Sequence, residues 1–419
     1  MPFRGFEGPA GTGKTHRLIE EVGQHLIETS LDPHQRVLAL TFMHGSRKRL
    51  DTRFGATPAL RGKAVCMTID SFAQSVLQRW STLSRAKAIA PDGFDQVCDS
   101  CGQLLEDPTV ANWVARTFPV VVVDEAQELK PVRLRILRAL APHVSLYVAA
   151  DEFQCLDEGV DTEPFRDWFN SGRVETLNIV HRTNQRGLLD AGLALRSLCA
   201  PVQGPGLRIR YEFKNVMPFA IASTLYRARG SSALIYGPAG RAWADEIIAR
   251  AAKGMRSAGY GEIPAMTLIH EDRNQEEKEA VLGLFQGPEA IETAAILRAL
   301  NGLESPPPWI ESVRSTVIRT EQTQGLTDWQ PADLAQLVER KAAQHRAYGY
   351  HRTNGISVMS IHQAKNRQFD NVVLLWPPGV PGSDEQKCRL LYNGITRAAR
   401  NCSVFVRVER NLREPPFGF

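Results

Sequence analysis

The string Gly8-Pro9-Ala10-Gly11-Thr12-Gly13-Lys14-Thr15 constrains this chain more than any other part of it. It fits GxxxxGK[ST] in full, a spacing with a well-understood physical use. Its glycines let successive backbone N–H groups turn inward around an anion, where a side chain would clash. Lys14 can then reach the β- and γ-phosphates, and Thr15 can offer its hydroxyl to Mg²⁺. A helix beginning where the loop ends points its positive pole at the same anion. A purely structural glycine turn would not need the lysine and threonine that follow. The expectation is a strand–loop–helix unit that binds ATP with Mg²⁺.

Such a loop works with a carboxylate at the end of a second strand. FPVVVVDEAQE, residues 118–128, supplies one after an unbroken apolar run. Asp124 is placed to hold the magnesium, and Glu125 to orient and deprotonate an attacking water. Phosphoryl transfer depends on positioning of this kind more than on covalent chemistry.

The surrounding pattern is α/β. RVLALTF (36–42), 118–124 and SLYVAAD (145–151) are short apolar runs ending in polar residues, separated by helix-like stretches at 14–29, 70–80 and 131–141. Alternation of this kind implies a doubly wound parallel sheet with ligands at the carboxyl ends of its strands. A second set, ALIYG (233–237), ISVMSIH (356–362), NVVLLW (371–376) and CSVFVRV (402–408), predicts a second sheet. The fold expected is therefore two RecA-like P-loop lobes with small helical insertions. The first lobe takes 1–80 and 119–172, with 81–118 a helical insertion. The second takes 173–270 and 351–419, with 271–350 a reduced helical insertion carrying EDRNQEEKE and SPPPW.

Composition narrows the class. The 419 residues carry a formal charge of only +4, so a nucleic-acid surface must be a local patch. Seven scattered cysteines show no disulfide framework, which suits a reducing cytoplasm, and Cys98 and Cys101 form a CxxC with no second pair. The histidines show no metal-ligand spacing. No apolar run approaches the ~20 residues that span a bilayer, and the start shows no signal-peptide pattern. A cytoplasmic protein without membrane contact is expected.

At DEAQ the sequence resembles the UvrD/Rep/PcrA-like branch of superfamily 1 DNA helicases, and the likeness recurs in order along the chain. VLALTFMHGSRKRL (37–50) is similar to that family's second motif, which implies strand contacts by Thr41 and Phe42. VCMTIDSFAQSVL (65–77) resembles the next block, with Thr68, Ser71 and Phe72 at the matching positions. AADEFQCL (149–156) resembles the motif whose glutamine, here Gln154, senses the γ-phosphate. LNIVHRTN (177–184) stands where the family has an Asn-Tyr-Arg-Ser-like string, which makes Arg182 a γ-phosphate arginine. ISVMSIHQAKNRQFDNVVLL (356–375) matches the motif in which His362 meets DNA. LLYNGITRAAR (390–400) resembles the last motif, whose Arg397 acts as a second arginine finger. The resemblance implies hydrolysis between two lobes, with Lys14, Glu125, Gln154, Arg182 and Arg397 catalytic, and 3′→5′ movement along single-stranded DNA or a tailed duplex.

Four departures modify that expectation. Seven residues precede Gly8, so the glutamine block that reads adenine is not expected. His181 replaces a base-stacking tyrosine and covers less area. Lys365-Asn366-Arg367-Gln368 stands for Lys-Gly-Leu-Glu, leaving neutral Gln368 at the ribose position. Both insertions are short for the family, which predicts translocation with weak unwinding and a partner, such as a nuclease, that supplies the rest. Looser nucleotide selectivity follows from the first two. The alternative reading is a nucleotide-gated DNA-binding switch regulating such a partner; RNA as the track is a further one.

On the nucleic-acid side, Phe42, Phe72, Trp80 and His362 are candidates for base stacking, and Arg47, Lys48 and Arg49 for phosphate contact. Core packing competes for the aromatics, and a solvated helix face competes for the basic triple. Arg133, Arg135 and Arg138 are expected on an exposed helix face.

Overall fold

A computed structural model describes the chain except for Met1, Pro2, Met43, 90–93, 158–160, 258–260, Asp272, Pro288, Ser305, Pro308, 349–354 and Phe419. Two compact units emerge: 1–266 together with 360–419, and 267–359.

The larger unit contains two parallel sheets. The first has six strands: β1 (Arg4–Glu7), β2 (Val37–Thr41), β3 (Ala64–Thr68), β4 (Val120–Val123), β5 (Ser145–Ala150) and β6 (Arg173–Thr176), in the order β3-β2-β4-β5-β1-β6. Every residue of β2 and β4 is buried, which is why those runs are continuously apolar instead of alternating. β1 lies between β5 and β6, away from the strand that follows it in sequence, so the chain crosses over directly after the glycine loop. Ligand sites of doubly wound sheets form at such a switch. Pairing of Arg173–Thr176 with β1 carries the first sheet past residue 172.

Helix α1 (Lys14–Glu28) follows the loop and buries Leu18, Ile19, Val22 and Leu26, one stripe at helical spacing, under this sheet. Helix α3 (Ile69–Arg79) begins at Thr68, whose hydroxyl caps Ser71 N–H. Helices spanning 81–117 contribute Cys98, Cys101, Leu105, Val110 and Val114 to the same core cluster as Ile69, Phe72 and Val121, so this stretch is packed into the lobe.

In the second sheet β7 (Leu207–Tyr211), β8 (Ser232–Tyr236) and the strands Phe369–Trp376 and Ala398–Val406 run parallel, with 369–376 between β8 and 398–406, and β7 outside 398–406. The helix Asp384–Ile395 starts with a capping box of Ser383 and Gln386.

The unit 267–359 has its own apolar core, with Trp309, Val313, Val317, Leu334 and Leu337 buried, and its strands Leu268–His270 and Ile356–Ser360 pair in parallel. Among the described residues no helix is long and apolar enough to cross a membrane.

Candidate active site

Backbone conformation builds the loop first. Gly8, Gly11 and Gly13 have φ of 152°, 85° and 84°, values that favour glycine. Space is as restrictive: a Cβ on Gly8 would lie 2.2 Å from Leu177 O, and one on Gly11 2.6 Å from Arg182 Cβ. The loop's backbone amides are thereby left free of side-chain bulk. Pro9 and Thr12 close the turn, Thr12 donating to Pro9 O from both N–H and hydroxyl.

Lys14 is buried and its ammonium donates to Gly8 O at 2.7 Å and Pro9 O at 3.1 Å, with Asp151 at 3.7 Å. It is held over the loop's mouth. Thr15 donates its hydroxyl to Asp124 at 2.9 Å, so the hydroxyl from α1 and the carboxylate ending β4 converge. Burial and then the nearby Glu125 charge raise the Asp124 pKa to about 6. Glu125 is in the left-handed region at φ 60° and accepts from Gln127 at 2.7 Å. Gln127 in turn accepts from Asp151 N–H at 2.9 Å, tying the ends of β4 and β5 together. A cradle of this shape, with a hydroxyl–carboxylate pair at its end, fits a magnesium-bound triphosphate.

The second sheet's side supplies cations. Arg182, half-buried, donates to Thr396 O at 2.6 Å. Arg397, only 1% exposed, donates to Asn393 O at 2.8 Å and lies 3.5 Å from Gln154 Oε1. Burial, followed by the repulsion of Arg182, lowers Arg397 to about 9. Among the described residues neither guanidinium forms a salt bridge, although buried charges are ordinarily paired. His181 N–H donates to Gly11 O at 2.8 Å, and a Cβ on Gly13 would lie 3.8 Å from the His181 ring. Lys14, Thr15, Asp124, Glu125, Gln154, His181, Arg182 and Arg397 are thus brought together around one loop.

Four residues without an expected role complete the site. Asp151, with no exposed side-chain surface, takes Arg196 at 2.6 Å, Gln154 at 2.8 Å and Tyr392 at 3.4 Å. Desolvation raises its pKa, but Lys14 and Arg196 outweigh it and the net shift is downward. Tyr392, from the helix Asp384–Ile395, accepts Ala10 N–H at 2.7 Å, so the second sheet's helix touches the loop directly. Gln127, Asp151 and Tyr392 lie inside strings singled out above; Arg196, on a helix face, gives no signal in the sequence.

The residues expected to contact a strand divide. Thr41, 1% exposed with its hydroxyl unpartnered, and half-buried Phe42 line a narrow cleft with Glu125, Gln127, Gln154 and Lys365. Lys365 pairs with Glu128 across that cleft at 2.5 Å. His362 is exposed and lines a neighbouring cavity of about 680 Å³ with Arg389 and Ser383.

Other residues depart from expectation. Phe72 is 2% exposed and sits in the first core, so its ring packs and does not face a strand. Trp80 packs edge-on against Trp113 at 6.0 Å. Thr68 and Ser71 hydrogen-bond each other as a helix cap. Gln368 is exposed and makes no hydrogen bond among the described residues, so nothing ties it to the nucleotide loop. Arg133 is buried against Asp70 at 2.8 Å, contrary to its expected exposure. Arg47 is half-buried and Arg49 exposed on helix α2 (His44–Ala56), and the Lys48 side chain lies outside the described residues. Cys98 and Cys101 are buried in the core and form no disulfide, and the Cys98 thiol donates to Asp70 at 3.2 Å.

Comparison with known proteins adds the following. Residues 355–405 match the model of the UvrD-like helicase C-terminal domain, and residues 5–160 that of the AAA domain. No curated protein sequence matches. Among solved structures, the Arterivirus nonstructural protein 10 (helicase) in complex with DNA is similar at 10% identity and a TM-score of 0.40, over 97% of this chain and 61% of that one. The same Arterivirus protein in a second crystal structure gives 10% identity and 0.42, over 99% and 62%. The chain spans about three fifths of the length of these proteins.

Proposed function

We propose that this chain, a UvrD-like superfamily 1 helicase by its matched domains, hydrolyses ATP between its two sheets and uses the cycle to move along single-stranded DNA in the 3′→5′ direction. The supporting observation is the pair Arg182 and Arg397, guanidiniums drawn out of water beside the glycine loop with no carboxylate partner among the described residues. An anion completes that arrangement, and a γ-phosphate on Lys14 has the required position.

The geometry supports the following chemical roles. Lys14 exchanges its loop carbonyls for phosphate oxygens. Thr15 and Asp124 hold Mg²⁺, whose chemistry is to neutralise charge on the phosphates. Glu125, oriented by Gln127, takes a proton from the attacking water. Arg182 and Arg397 stabilise the charge that spreads over the transferred phosphoryl, a task suited to a planar fork that stays cationic.

The lobes assigned are 1–176, which includes the helices of 81–117 that share its core, and 177–266 with 360–419. Loss of the γ-phosphate removes the anion between arginines on one side and lysine on the other, which releases the lobes. Thr41 and Phe42 share the cleft of Glu125 and Gln154, so a strand lying there senses the same state. His181 gives a base a smaller stacking surface than tyrosine and supports relaxed nucleotide choice. Short insertions support weak unwinding by the isolated chain.

The test is an ATPase assay with single-stranded DNA, duplex DNA and RNA side by side. Single-stranded DNA is expected to stimulate turnover about tenfold or more, well above duplex or RNA, as binding closes the cleft. Binding of DNA without stimulation would support the nucleotide-gated switch, and equal stimulation by RNA would remove DNA as the preferred track.

A further inference from the structure

The second sheet has two unlike faces. Parallel pairing places Asn371 beside Asn401, then Val373, Ser403 and Arg208 in one row, and Leu375, Phe405 and Arg210 in the next. These rows share a face, because side chains two apart on a strand point the same way. The intervening positions, Val372, Leu374, Cys402, Val404, Leu207 and Ile209, are all buried and apolar. Leu374 meets Gly394, so the apolar face carries the helix with Tyr392 and the nucleotide site. The other face lies under the helix Met217–Arg227 and should be apolar too, if covering the sheet were its only task.

It holds instead a cavity of about 600 Å³, within the range of small-ligand pockets. Arg208, Arg210 and Arg227 line it against a single carboxylate, Glu212. Arg210 is held by Thr224 at 2.9 Å and lies over the Phe405 ring at 4.5 Å, while Glu212 stands 3.7 Å away. Its buried Nε has no partner. Ser403 is 7% exposed, and its hydroxyl makes no hydrogen bond among the described residues. Arg208 and Arg227 likewise form no salt bridge or hydrogen bond among them. Three cations, one of them fixed by a hydroxyl and a ring, and a buried unused hydroxyl form a receptor for a compact, multiply charged anion.

We infer that this cavity is a second anion site, on the opposite face of the sheet from the nucleotide site, and that it takes a phosphate group. Planar guanidinium forks match phosphate oxygens in pairs, and Ser403 adds a neutral donor. Such a phosphate is carried by a free phosphorylated small molecule or by the phosphorylated end of a nucleic-acid strand.

Pyrophosphate titrated calorimetrically into the full chain carrying Lys14→Ala tests this, because that change disables the glycine loop and is remote from the cavity. One binding event is expected, weakened about tenfold or more by Arg208→Glu, the loss of a charge-assisted contact. Arg208 is exposed and makes no ion pair or hydrogen bond among the described residues, so its replacement leaves the fold intact; Ser403→Ala, which removes only the hydroxyl, gives an independent second loss. Absence of binding in the Lys14→Ala chain, or binding indifferent to both further changes, overturns the inference. Oligonucleotides with and without a 5′-phosphate separate the sources. A preference for the phosphorylated end that Arg208→Glu abolishes assigns the phosphate to strand ends, and pyrophosphate binding without that preference assigns it to a free ligand.

Discussion

The glycine loop and the Thr41–Phe42 cleft proposed to meet the strand lie side by side, yet they are built differently. Around the loop, nearly every polar group has a partner at hydrogen-bond distance: Lys14 on Gly8 O, Thr15 on Asp124, Gln127 on Glu125, Tyr392 on Ala10. In the cleft the Thr41 hydroxyl is buried and unpartnered, and the cavity beside it opens on the exposed His362. Chemistry on a phosphoryl group needs atoms fixed to a fraction of an ångström, so the fold over-determines them. Contact with a polymer of varying sequence is tolerant, and needs only charge and a surface in the right place. The first region therefore leaves a rigid spacing in the sequence, and the second does not.

The largest effect expected is on the loop side. Arg397→Ala should lower kcat by about 10³-fold with little change in KM for ATP, as befits an arginine acting on transition-state charge. Arg397→Lys, measured in parallel, separates charge from fork geometry: it should recover only a small part, because one ammonium cannot span the Asn393 and Gln154 contacts together. Normal turnover in the alanine variant would break the contrast outright, since the second sheet would then contribute no chemistry.

Next comes a pair of substitutions that divides the strand-facing residues. Phe72→Ala should destabilise the fold by about 3–5 kcal/mol, the usual loss for a fully buried ring, and lower Tm without altering the affinity of the remaining folded protein for single-stranded DNA. His362→Ala, at an exposed position, should lower Tm far less than Phe72→Ala and weaken strand binding by about 1–3 kcal/mol if its ring stacks on a base. Denaturation and fluorescence-anisotropy titrations measure the two. A reversed outcome would return Phe72 to the nucleic-acid surface.

These residues show what the sequence made legible. Strands β2, β4 and β5 were readable because burial on both faces writes a continuous apolar run, and the glycine loop because its φ values exclude other residues. β1, with two buried residues in four, and β6, partly exposed, leave no such run, so their place beside the loop was hidden. Phe72 occupies a motif position and a core position at once, and only packing distinguishes the two. Asp151 carries an acid at a strand end like Asp124, yet its role depends on Arg196, a residue 45 positions away that no local pattern marks. The domain limits suffered likewise, because 81–117 looks separable in sequence but shares the first core.

The smallest expected effect concerns proton binding at the loop. Desolvation and the Glu125 charge favour the protonated form of Asp124 and raise its pKa to about 6. Magnesium requires the carboxylate, so the neutral acid and the cation compete for one site. As pH falls through 6, the fraction of chains able to bind Mg²⁺ should fall with it, and kcat/KM for Mg-ATP should show an acid limb near that value at low magnesium. Raising the magnesium concentration should move the limb to lower pH, because the cation withdraws the deprotonated form from the equilibrium. Strand binding without nucleotide should show no such magnesium-linked limb, as neither Thr15 nor Asp124 lines the Thr41–Phe42 cleft. A limb that stayed fixed at all magnesium concentrations would place the titrating group elsewhere, and would detach Asp124 from the metal-holding role that distinguishes the loop from its neighbour.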